Sequence, residues 1–343
     1  MLLSTQLQYG DDPIRNAEAV VALEQAGLDV VWVAEAYSYD AVSLMGYLAA
    51  RTERVQIGSG ILPIYSRTPT LTAMTAAGLD ALSGGRAILG LGASGPQVIE
   101  GFHGVPYDKP IARTREIIEI CRKVWRRERL TNDGLYKIPL PEGQGTGLGK
   151  PLKLINHPQR ADIPIWVASL GDKNVEMTAE LANGWLPHAM IPEKMREVFG
   201  PALDAGFAKR AAELGPLQIT GGGILALEEE MFEPARQLAR GMYALYIGGM
   251  GARGRNFYNT VFSRQGYPDE AKIVQDLYLD GRKEEAAATL PADFIDKVTL
   301  IGPPSHVRER IAALQEVGVT HLHVNPISND APKLISQVKE WIA

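Results

Sequence analysis

The chain has 343 residues, of which 45% are hydrophobic and 22% are charged, and its formal net charge is −5. This length and composition can build a large hydrophobic core, which excludes a disordered, collagen-like or disulfide-stapled protein. The mildly acidic balance argues against a nucleic-acid-binding or basic membrane-binding surface, and no apolar run approaches the roughly 18 residues that span a membrane.

One unit recurs along the chain: an amphipathic helix, a glycine and a short apolar strand. Glycine ends such a helix because it accepts the left-handed conformation without a Cβ clash. The strands are nearly continuous apolar runs, which is typical of parallel strands covered on both faces. In chain order they are predicted at 2–8, 28–34, 54–62, 86–91, 163–168, 184–187, 217–225 and 320–324. Eight strands alternating with helices predict an α/β fold, a (β/α)8 TIM barrel formed by one domain over 1–343.

Two segments are predicted to be insertions into this barrel. A closed barrel of this type needs about 250 residues, which leaves about 90 for other structure. Residues 129–160 are rich in Gly and Pro and lack periodicity, and residues 247–290 begin with glycines and continue as polar helical sequence. Because such segments often carry lids and binding surfaces, we expect both insertions at the carboxyl-terminal face, where they would wall a pocket.

The carboxyl ends of the strands, where barrels of this kind carry their chemistry, have few ionisable groups and many glycines. The residues collected there include Tyr9, Glu35, Tyr37, Gly60, Gly92, Ser94, Ser169, Gly171, His188, Gly222 and Asn325. This set contains no metal cluster, activated nucleophile or Schiff-base lysine. The pattern favours a site in which a large flat cofactor lies against the backbone and supplies the chemistry itself.

Two local patterns resemble known binding sites, but the residues around them argue against both. Residues 90–95 match the dinucleotide motif G-x-G-x-x-G, but Pro96 prevents the long helix that should follow directly, so a Rossmann site is not expected. His321 and His323 share one face of a strand, as two metal ligands would. No motif places a third ligand beside them, so we expect no metal site.

Two further features have alternative interpretations. Residues 169–174 end a strand and begin a helix, where free N–H groups could bind a phosphate. Asp172 could instead cap that helix and satisfy the same groups. Arg67, just before the helix that begins at Pro69, could reach an anion above the barrel or remain solvated.

The single cysteine, Cys121, excludes internal disulfides and cysteine-rich metal sites, as expected in a reducing cytoplasm. It shares an apolar helical stripe with Ile117 and Val124, which predicts that it is buried. The amino-terminal segment lacks the basic and apolar regions of a signal peptide, so we expect a cytoplasmic location.

Several motifs together resemble the luciferase-like superfamily of flavin and deazaflavin enzymes. They are GSGILP at 58–63, RTP at 67–69, LSGGR at 82–86, SGPQV at 94–98, GFHGVP at 101–106, VAS at 167–169 and ANGW at 182–185. Within the superfamily the chain is most similar to the F420-dependent oxidoreductases, the group that includes methylenetetrahydromethanopterin reductase. The resemblance covers about 10–130, 163–188 and 296–325, and it leaves out the two insertions.

The resemblance implies a barrel that holds coenzyme F420, with a non-prolyl cis peptide bond at Gly60–Ile61 in a bulge of the third strand. It implies that 168–174 hold the cofactor phosphate and that 92–94 lie along the ribityl chain or the ring. The residues expected to contact the cofactor are Gly60, Ile61, Leu62, Gly92, Ala93, Ser94, Ala168, Ser169, Leu170, Gly171, Asp172 and Asn174.

We therefore predict an enzyme, a coenzyme F420-dependent oxidoreductase that transfers a hydride between C5 of the deazaflavin and a small organic substrate. Glu35 is the expected proton partner or hydrogen-bond anchor, and Tyr37, Ser94 and His188 are the other catalytic candidates. Similar enzymes that oxidise a sugar phosphate carry a His after the second strand and a Glu after the fourth. This chain has Ala36 and the segment 94–96 there, so that activity is not expected.

Two alternatives stay open: an FMN-dependent luciferase-like monooxygenase, which would form a peroxyflavin, and a non-catalytic barrel that only binds F420. The expected partner is a small-molecule substrate, with neither nucleic acid nor membrane, and the resemblance indicates a homodimer. The sequence does not identify the substrate.

Overall fold

The computed structural model describes residues 1–7 and 9–343. Within them, eight parallel strands pair side by side and form a closed barrel. The strands are β1 Leu2–Leu7, β2 Val30–Val33, β3 Gln56–Ser59, β4 Ala87–Gly92, β5 Ile165–Ala168, β6 Gly184–Leu186, β7 Gln218–Ala226 and β8 His321–Pro326. Strand β8 pairs with both β7 and β1 and so closes the ring. The predicted (β/α)8 barrel is confirmed.

Fourteen α-helices occur in the described residues. They are α1 Pro13–Gln25, α2 Ala41–Arg51, α3 Pro69–Leu82, α4 Pro96–Ile99, α5 Pro110–Trp125, α6 Asp172–Leu181, α7 Met195–Phe207, α8 Glu229–Ala244, α9 Phe257–Arg264, α10 Pro268–Leu279, α11 Lys283–Thr289, α12 Ala292–Val298, α13 Pro304–Glu316 and α14 Ala331–Ile342. Proline begins several of them because its missing N–H has no partner in the first turn anyway. None of the helices in the described part of the chain combines the length and apolar character that crossing a membrane requires.

Shorter elements complete the fold. They are the strands Leu62–Pro63, Asn132–Asp133, Lys137–Ile138 and Leu300–Ile301, the 3-10 turns Pro192–Lys194 and Ala212–Leu214, and the π-helical turn Leu245–Gly249. The third predicted strand, 54–62, is therefore divided, because β3 ends at Ser59 and the chain pairs with β4 again only at Leu62.

Two indole rings fill the barrel interior. Trp32 on β2 and Trp166 on β5 lie with their ring centroids 5.2 Å apart. They occupy space that glycines leave open. A Cβ on Gly58 would lie 2.4 Å from the Trp32 ring, and one on Gly184 would lie 2.1 Å from the Trp166 ring. Glycine at these two positions is therefore a requirement of packing.

The two histidines of β8 also point into the barrel. The His321 ring contacts Trp166 edge-on at 4.8 Å, and His323 Nδ1 lies 3.3 Å from the hydroxyl of Ser4. Across the described residues, no group of three or more His, Cys, Asp or Glu side chains could hold a metal ion.

At the amino-terminal end of the barrel, charged side chains bond to backbone groups or to each other. Glu24, 5% exposed, accepts hydrogen bonds from the three successive N–H groups of residues 53–55. Arg86 donates to the carbonyls of Ala49, Thr52, Val55 and Ser83. The fully buried Asp80 pairs with Arg160 at 2.5 Å. Cys121 is buried in the outer core, the large hydrophobic core that the strands and the surrounding helices form, as predicted.

The segment 129–160 does not lie where we expected it. Leu130 donates its N–H to the carbonyl of Leu152, and Arg160 donates to the carbonyl of Ala87, the first residue of β4. Both ends of the segment therefore lie at the amino-terminal end of the barrel, with its hairpin bonded to Glu116 of α5. The position differs from the expected carboxyl-terminal face because the segment follows a helix, and a helix returns the chain to the amino ends of the strands.

The segment 247–290 belongs to a larger helical layer after β7 that comprises α8 to α12. This layer has its own apolar core, which packs on Ile224 and Ala226 near the carboxyl end of β7. It begins at Glu229 rather than near 247, because α8 packs against α10, α11 and α12 as well as against β7. The helix that returns to β8 is α13.

Candidate active site

Three of the expected cofactor-contacting segments form one continuous strip at the carboxyl end of the barrel. Pro63 lies opposite Gly92 in the sheet, and Gly92 lies opposite Ala168. The strip thus joins 60–62, 92–94 and the start of 168–174. The peptide bond between Gly60 and Ile61 is cis, at the position to which the resemblance assigned one. A Cβ on Gly92 would lie 2.8 Å from Cγ1 of Ile61, so the side chain of Ile61 can pack here only against a glycine.

The amino terminus of α6 carries no side-chain cap. Its N-cap residue is Gly171, while Asp172 is the first helical residue and pairs with Arg264 at 2.7 Å. The interpretation of Asp172 as the cap is therefore wrong, and the first N–H groups of the helix keep no side-chain partner. Asn174 Oδ1 is buried without a hydrogen-bond partner in the described structure.

Two other residues of this segment are tied into the protein interior. The hydroxyl of Ser169 lies 2.9 Å from that of Thr178, and its carbonyl accepts from the Trp185 indole at 2.9 Å. Leu170 packs against the outer core. Ser169 and Leu170 therefore hold the loop in place. Gly171 lies against the Phe257 ring, because a Cβ added to this glycine would be only 3.0 Å from the ring.

Glu35 is bonded on both carboxylate oxygens. Its Oε1 and Oε2 accept from Arg67 at 2.5 and 2.8 Å, and Oε2 also accepts from the N–H of Ala41 at 3.1 Å. Arg67 pairs with Asp40 at 2.7 Å as well, and the hydrogen bond to Glu35 raises the pKa of Arg67. Arg67 thus pairs with two carboxylates of the protein and is largely buried rather than solvated, and this geometry suits Glu35 as an anchor better than as a free proton acceptor.

Tyr9 lies near Glu35 on the side of the barrel mouth. Burial raises the pKa of Tyr9 to about 12, and the nearby Tyr246, Glu35 and Tyr37 contribute to this rise. Tyr37 itself is 68% exposed, and its ring centroid lies 6.3 Å from that of Phe102. The structure therefore brings two of the catalytic candidates, Glu35 and Tyr37, to one side of the mouth.

Ser94 lies on the rim beyond β4. It is exposed and has a left-handed backbone, with φ at 57°. Its carbonyl accepts a hydrogen bond from the Tyr107 hydroxyl at 3.3 Å. This contact ties the backbone of the loop at Ser94 to Tyr107.

His188 lies across the mouth, below the helical layer. Its ring centroid is 4.1 Å from that of Tyr246 and 5.2 Å from that of Tyr258. Burial lowers its pKa to about 4, with a smaller contribution from His323, so the imidazole is neutral at pH 7. Its Nε2 is buried and has no partner among the described residues.

The sequence did not point to several residues around this mouth. Tyr246, Tyr258, Phe257 and Arg264 come from the helical layer, whose sequence carries no recognisable motif. The aromatic residues concentrated there were the only available signal. Tyr246 lies in the π-helical turn Leu245–Gly249, an element that a hydrophobic pattern does not reveal, and the other three residues lie on α9.

Comparison with known proteins adds to this geometry. Residues 2–321 match the model of the luciferase-like monooxygenase family. A "putative coenzyme F420-dependent oxidoreductase" from Mycobacterium tuberculosis is 43% identical over 332 residues, 94% of each chain. The 5,10-methylenetetrahydromethanopterin reductase of Archaeoglobus fulgidus is 29% identical, covering 93% of this chain and 92% of its own. The structure of the F420-dependent tetrahydromethanopterin reductase from Methanopyrus kandleri shares the fold, with a TM-score of 0.81, 22% identity and coverage of 99% and 97%.

Proposed function

The chain belongs to the luciferase-like monooxygenase family, and on that premise we propose that it is a coenzyme F420-dependent oxidoreductase. The observation that carries the proposal is the strip of small residues across β3, β4 and β5 at the barrel mouth, together with full-length relatives described as F420-dependent. When bound, F420 would accept or donate a hydride at C5 of its deazaflavin ring. The substrate would be a small organic molecule.

The residues of the strip fit a flat cofactor. A Cβ on Gly60 would lie 3.0 Å from Trp32 and one on Gly92 would lie 2.8 Å from Ile61, so close packing under the strip requires glycine at both positions. Ile61, Ala93 and Ala168 are partly exposed and would line this floor with short or apolar side chains, whereas the side chain of Leu62 is buried in the hydrophobic core. The strip has the low profile that a planar ring needs.

The beginning of α6 fits the phosphate of the cofactor. Its first N–H groups lack a side-chain cap, and a helix amino terminus attracts anions. The unpartnered Oδ1 of Asn174 would face a cofactor hydroxyl, and Arg264 would balance Asp172 when the phosphate binds. Gly171 would let the phosphate approach the backbone.

The four catalytic candidates would divide the remaining tasks. Glu35, held by Arg67, would anchor the loop after β2 and orient the ring from that side. Tyr37 and Ser94 would border the entrance, and His188 would face the substrate from beneath the helical layer. The chain would thus bind, orient and exclude water, while the cofactor carries the redox change.

Cofactor titration tests this function. We expect purified protein to bind F420 with a micromolar dissociation constant, measured by deazaflavin fluorescence, and not to bind FMN. Gly60→Val should weaken F420 binding at least about tenfold, because the larger side chain meets Trp32. Binding of FMN without F420 would favour the monooxygenase alternative and overturn the proposal. Tight F420 binding without turnover of alcohols, imines and activated alkenes would favour the non-catalytic barrel.

We further propose that the protein is cytoplasmic, as its single cysteine suggests, and a homodimer, as the family resemblance suggests. Helix α3 presents the apolar side chains of Leu71, Met74 and Leu82, which are 46%, 53% and 74% exposed. A second copy packed on this face would remove them from water. Sedimentation should give a dimer for the native protein and a monomer for Met74→Glu, and an unchanged mass would count against this face.

A further inference from the structure

A small cavity between the barrel mouth and the helical layer contains a buried polar atom without a partner. His188, Tyr243, Tyr246 and Tyr258 line this cavity. It has room for one group about the size of a water molecule. In the described structure, Nε2 of His188 is buried there and has no hydrogen-bond partner. A buried polar atom of this kind costs free energy unless something binds it.

Two other polar side chains that line the cavity, Tyr243 and Gln265, already have hydrogen-bond partners in the protein. The hydroxyl of Tyr243 donates to the carbonyl of Val298 at 3.1 Å. Gln265 donates to the carbonyl of Ala189 at 3.0 Å and accepts from the N–H of Ile191 at 2.7 Å. Among the side chains that line the cavity in the described structure, Nε2 of His188 is the buried polar atom without a partner, and an imidazole nitrogen either donates or accepts, depending on the tautomer.

The cavity is uncharged. The residues that line it are aromatic, aliphatic or amide side chains, with neutral His188 as the one titratable base. A carboxylate or phosphate oxygen placed here would lose its water without gaining a cation. A neutral oxygen would lose less and would gain the hydrogen bond that Nε2 lacks.

We propose that Nε2 of His188 binds the uncharged oxygen of the substrate, a carbonyl or a hydroxyl, which Tyr246 and Tyr258 confine. The inference rests on the proposed function, because it gives the substrate class of the same site. A carbonyl oxygen accepts a hydrogen bond from Nε2 when that nitrogen is protonated, and a hydroxyl donates to Nε2 when it is not. The subsite therefore suits both members of an alcohol–carbonyl pair. Substrates that present only a carboxylate or a phosphate would not use it.

Ligand binding to the intact protein, with and without F420, tests the proposal. The probes are cyclohexanone and cyclohexanol, with cyclohexanecarboxylate as the charged analogue. Dissociation constants come from calorimetry, and ¹⁵N-histidine NMR follows Nε2 of His188 directly. The variants are His188→Leu, which removes the hydrogen bond, and His188→Gln, which retains one. Tyr243→Phe is the matched control, because it alters the same cavity wall but only removes a hydroxyl bonded elsewhere.

We expect the neutral probes to bind and to shift the Nε2 resonance of His188, and the carboxylate to bind at least about tenfold more weakly. His188→Leu should weaken the neutral probes about tenfold, and His188→Gln should restore most of the loss. Tyr243→Phe should leave their affinity within about twofold. Equal affinity for the carboxylate, no binding of either neutral probe, or unchanged affinity in His188→Leu would overturn the subsite. F420 titration of the same samples separates this result from a failure of the proposed cofactor.

Discussion

The two ends of the barrel treat polar groups in opposite ways. At the amino-terminal end, Glu24, Arg86 and Asp80 bond to backbone groups or to a charged partner. At the carboxyl-terminal end, His188 and Asn174 keep buried atoms without partners. Beside the bonded Glu35, these unpartnered atoms are available for binding, whereas the bonded groups at the amino-terminal end support the fold.

This difference predicts opposite results for substitutions at the two ends. Changes at the amino-terminal end should lower the free energy of unfolding and leave cofactor affinity intact. Changes at the carboxyl-terminal end should lower cofactor affinity, whatever their effect on stability.

The largest effect on stability is expected for Arg86→Met. The guanidinium donates five hydrogen bonds, four to backbone carbonyls and one to the Thr52 hydroxyl. Their loss should cost about 3–4 kcal/mol in urea-induced unfolding at 25 °C, because several carbonyls lose their donor. Arg126→Met is the control, since its pair with Glu128 is about half exposed and should contribute less than about 0.5 kcal/mol. Similar losses in both variants would contradict the assignment.

Glu24→Gln should show a smaller loss that depends on pH. Burial raises the pKa of Glu24, but the N–H groups of 53–55 outweigh it, so the net pKa lies below the ordinary 4.5. Its contribution is therefore present above pH 4.5 and lost as the pH falls through the folded value. We expect the variant to be about 1–2 kcal/mol less stable at pH 7, with the difference shrinking below pH 4.5.

Urea unfolding of both proteins at pH 7 and at several values below 4.5 measures this difference. Glu18→Gln, at the exposed ion pair with Arg51, is the control and should change little at any pH. A difference between native protein and Glu24→Gln that stays constant with pH would rule out the proposed role of the carboxylate.

Gly92→Val tests the opposite end. Its side chain would meet Ile61 across the strip, so F420 affinity should fall at least about tenfold, which corresponds to about 1.4 kcal/mol. Deazaflavin fluorescence measures the dissociation constant, and urea unfolding measures the accompanying change in stability. A loss of stability with unchanged affinity would place Gly92 among the structural residues of the barrel instead.

The smallest effect is expected for Gly241→Ala on α8. A Cβ at this exposed position meets nothing within 4 Å, so only the backbone entropy of glycine changes. The variant should gain about 0.5–1 kcal/mol in stability and keep its F420 affinity. Thermal unfolding and the same titration provide the measurement, and a weakened affinity would show that α8 moves on binding.

The barrel could be predicted from sequence because parallel strands are continuous apolar runs between helices that end in glycine. All eight strands lie where that pattern placed them, within about three residues at each end. The site was only partly predictable. Gly60, Gly92 and Ala168 become neighbours through strand register, which the order of the strands implies, whereas the pairing of Glu35 with Arg67 across 32 residues leaves no local pattern.

The remaining differences have structural causes. Residues 129–160 return to the amino-terminal end because their position is set by the helix before them rather than by their composition. Tyr246 and Tyr258 reach His188 only through the packing of the helical layer. Packing between distant segments depends on three-dimensional shape, which a sequence periodicity of two or 3.6 residues does not reveal.

The indoles inside the barrel constrain how this protein can change over time. Because Trp32 occupies the volume beside Gly58, and Trp166 that beside Gly184, neither glycine can acquire a side chain while its indole remains. Shortening an indole first would open a void the size of a ring. Each glycine–tryptophan couple is therefore expected to change together, because either substitution alone leaves a clash or a void.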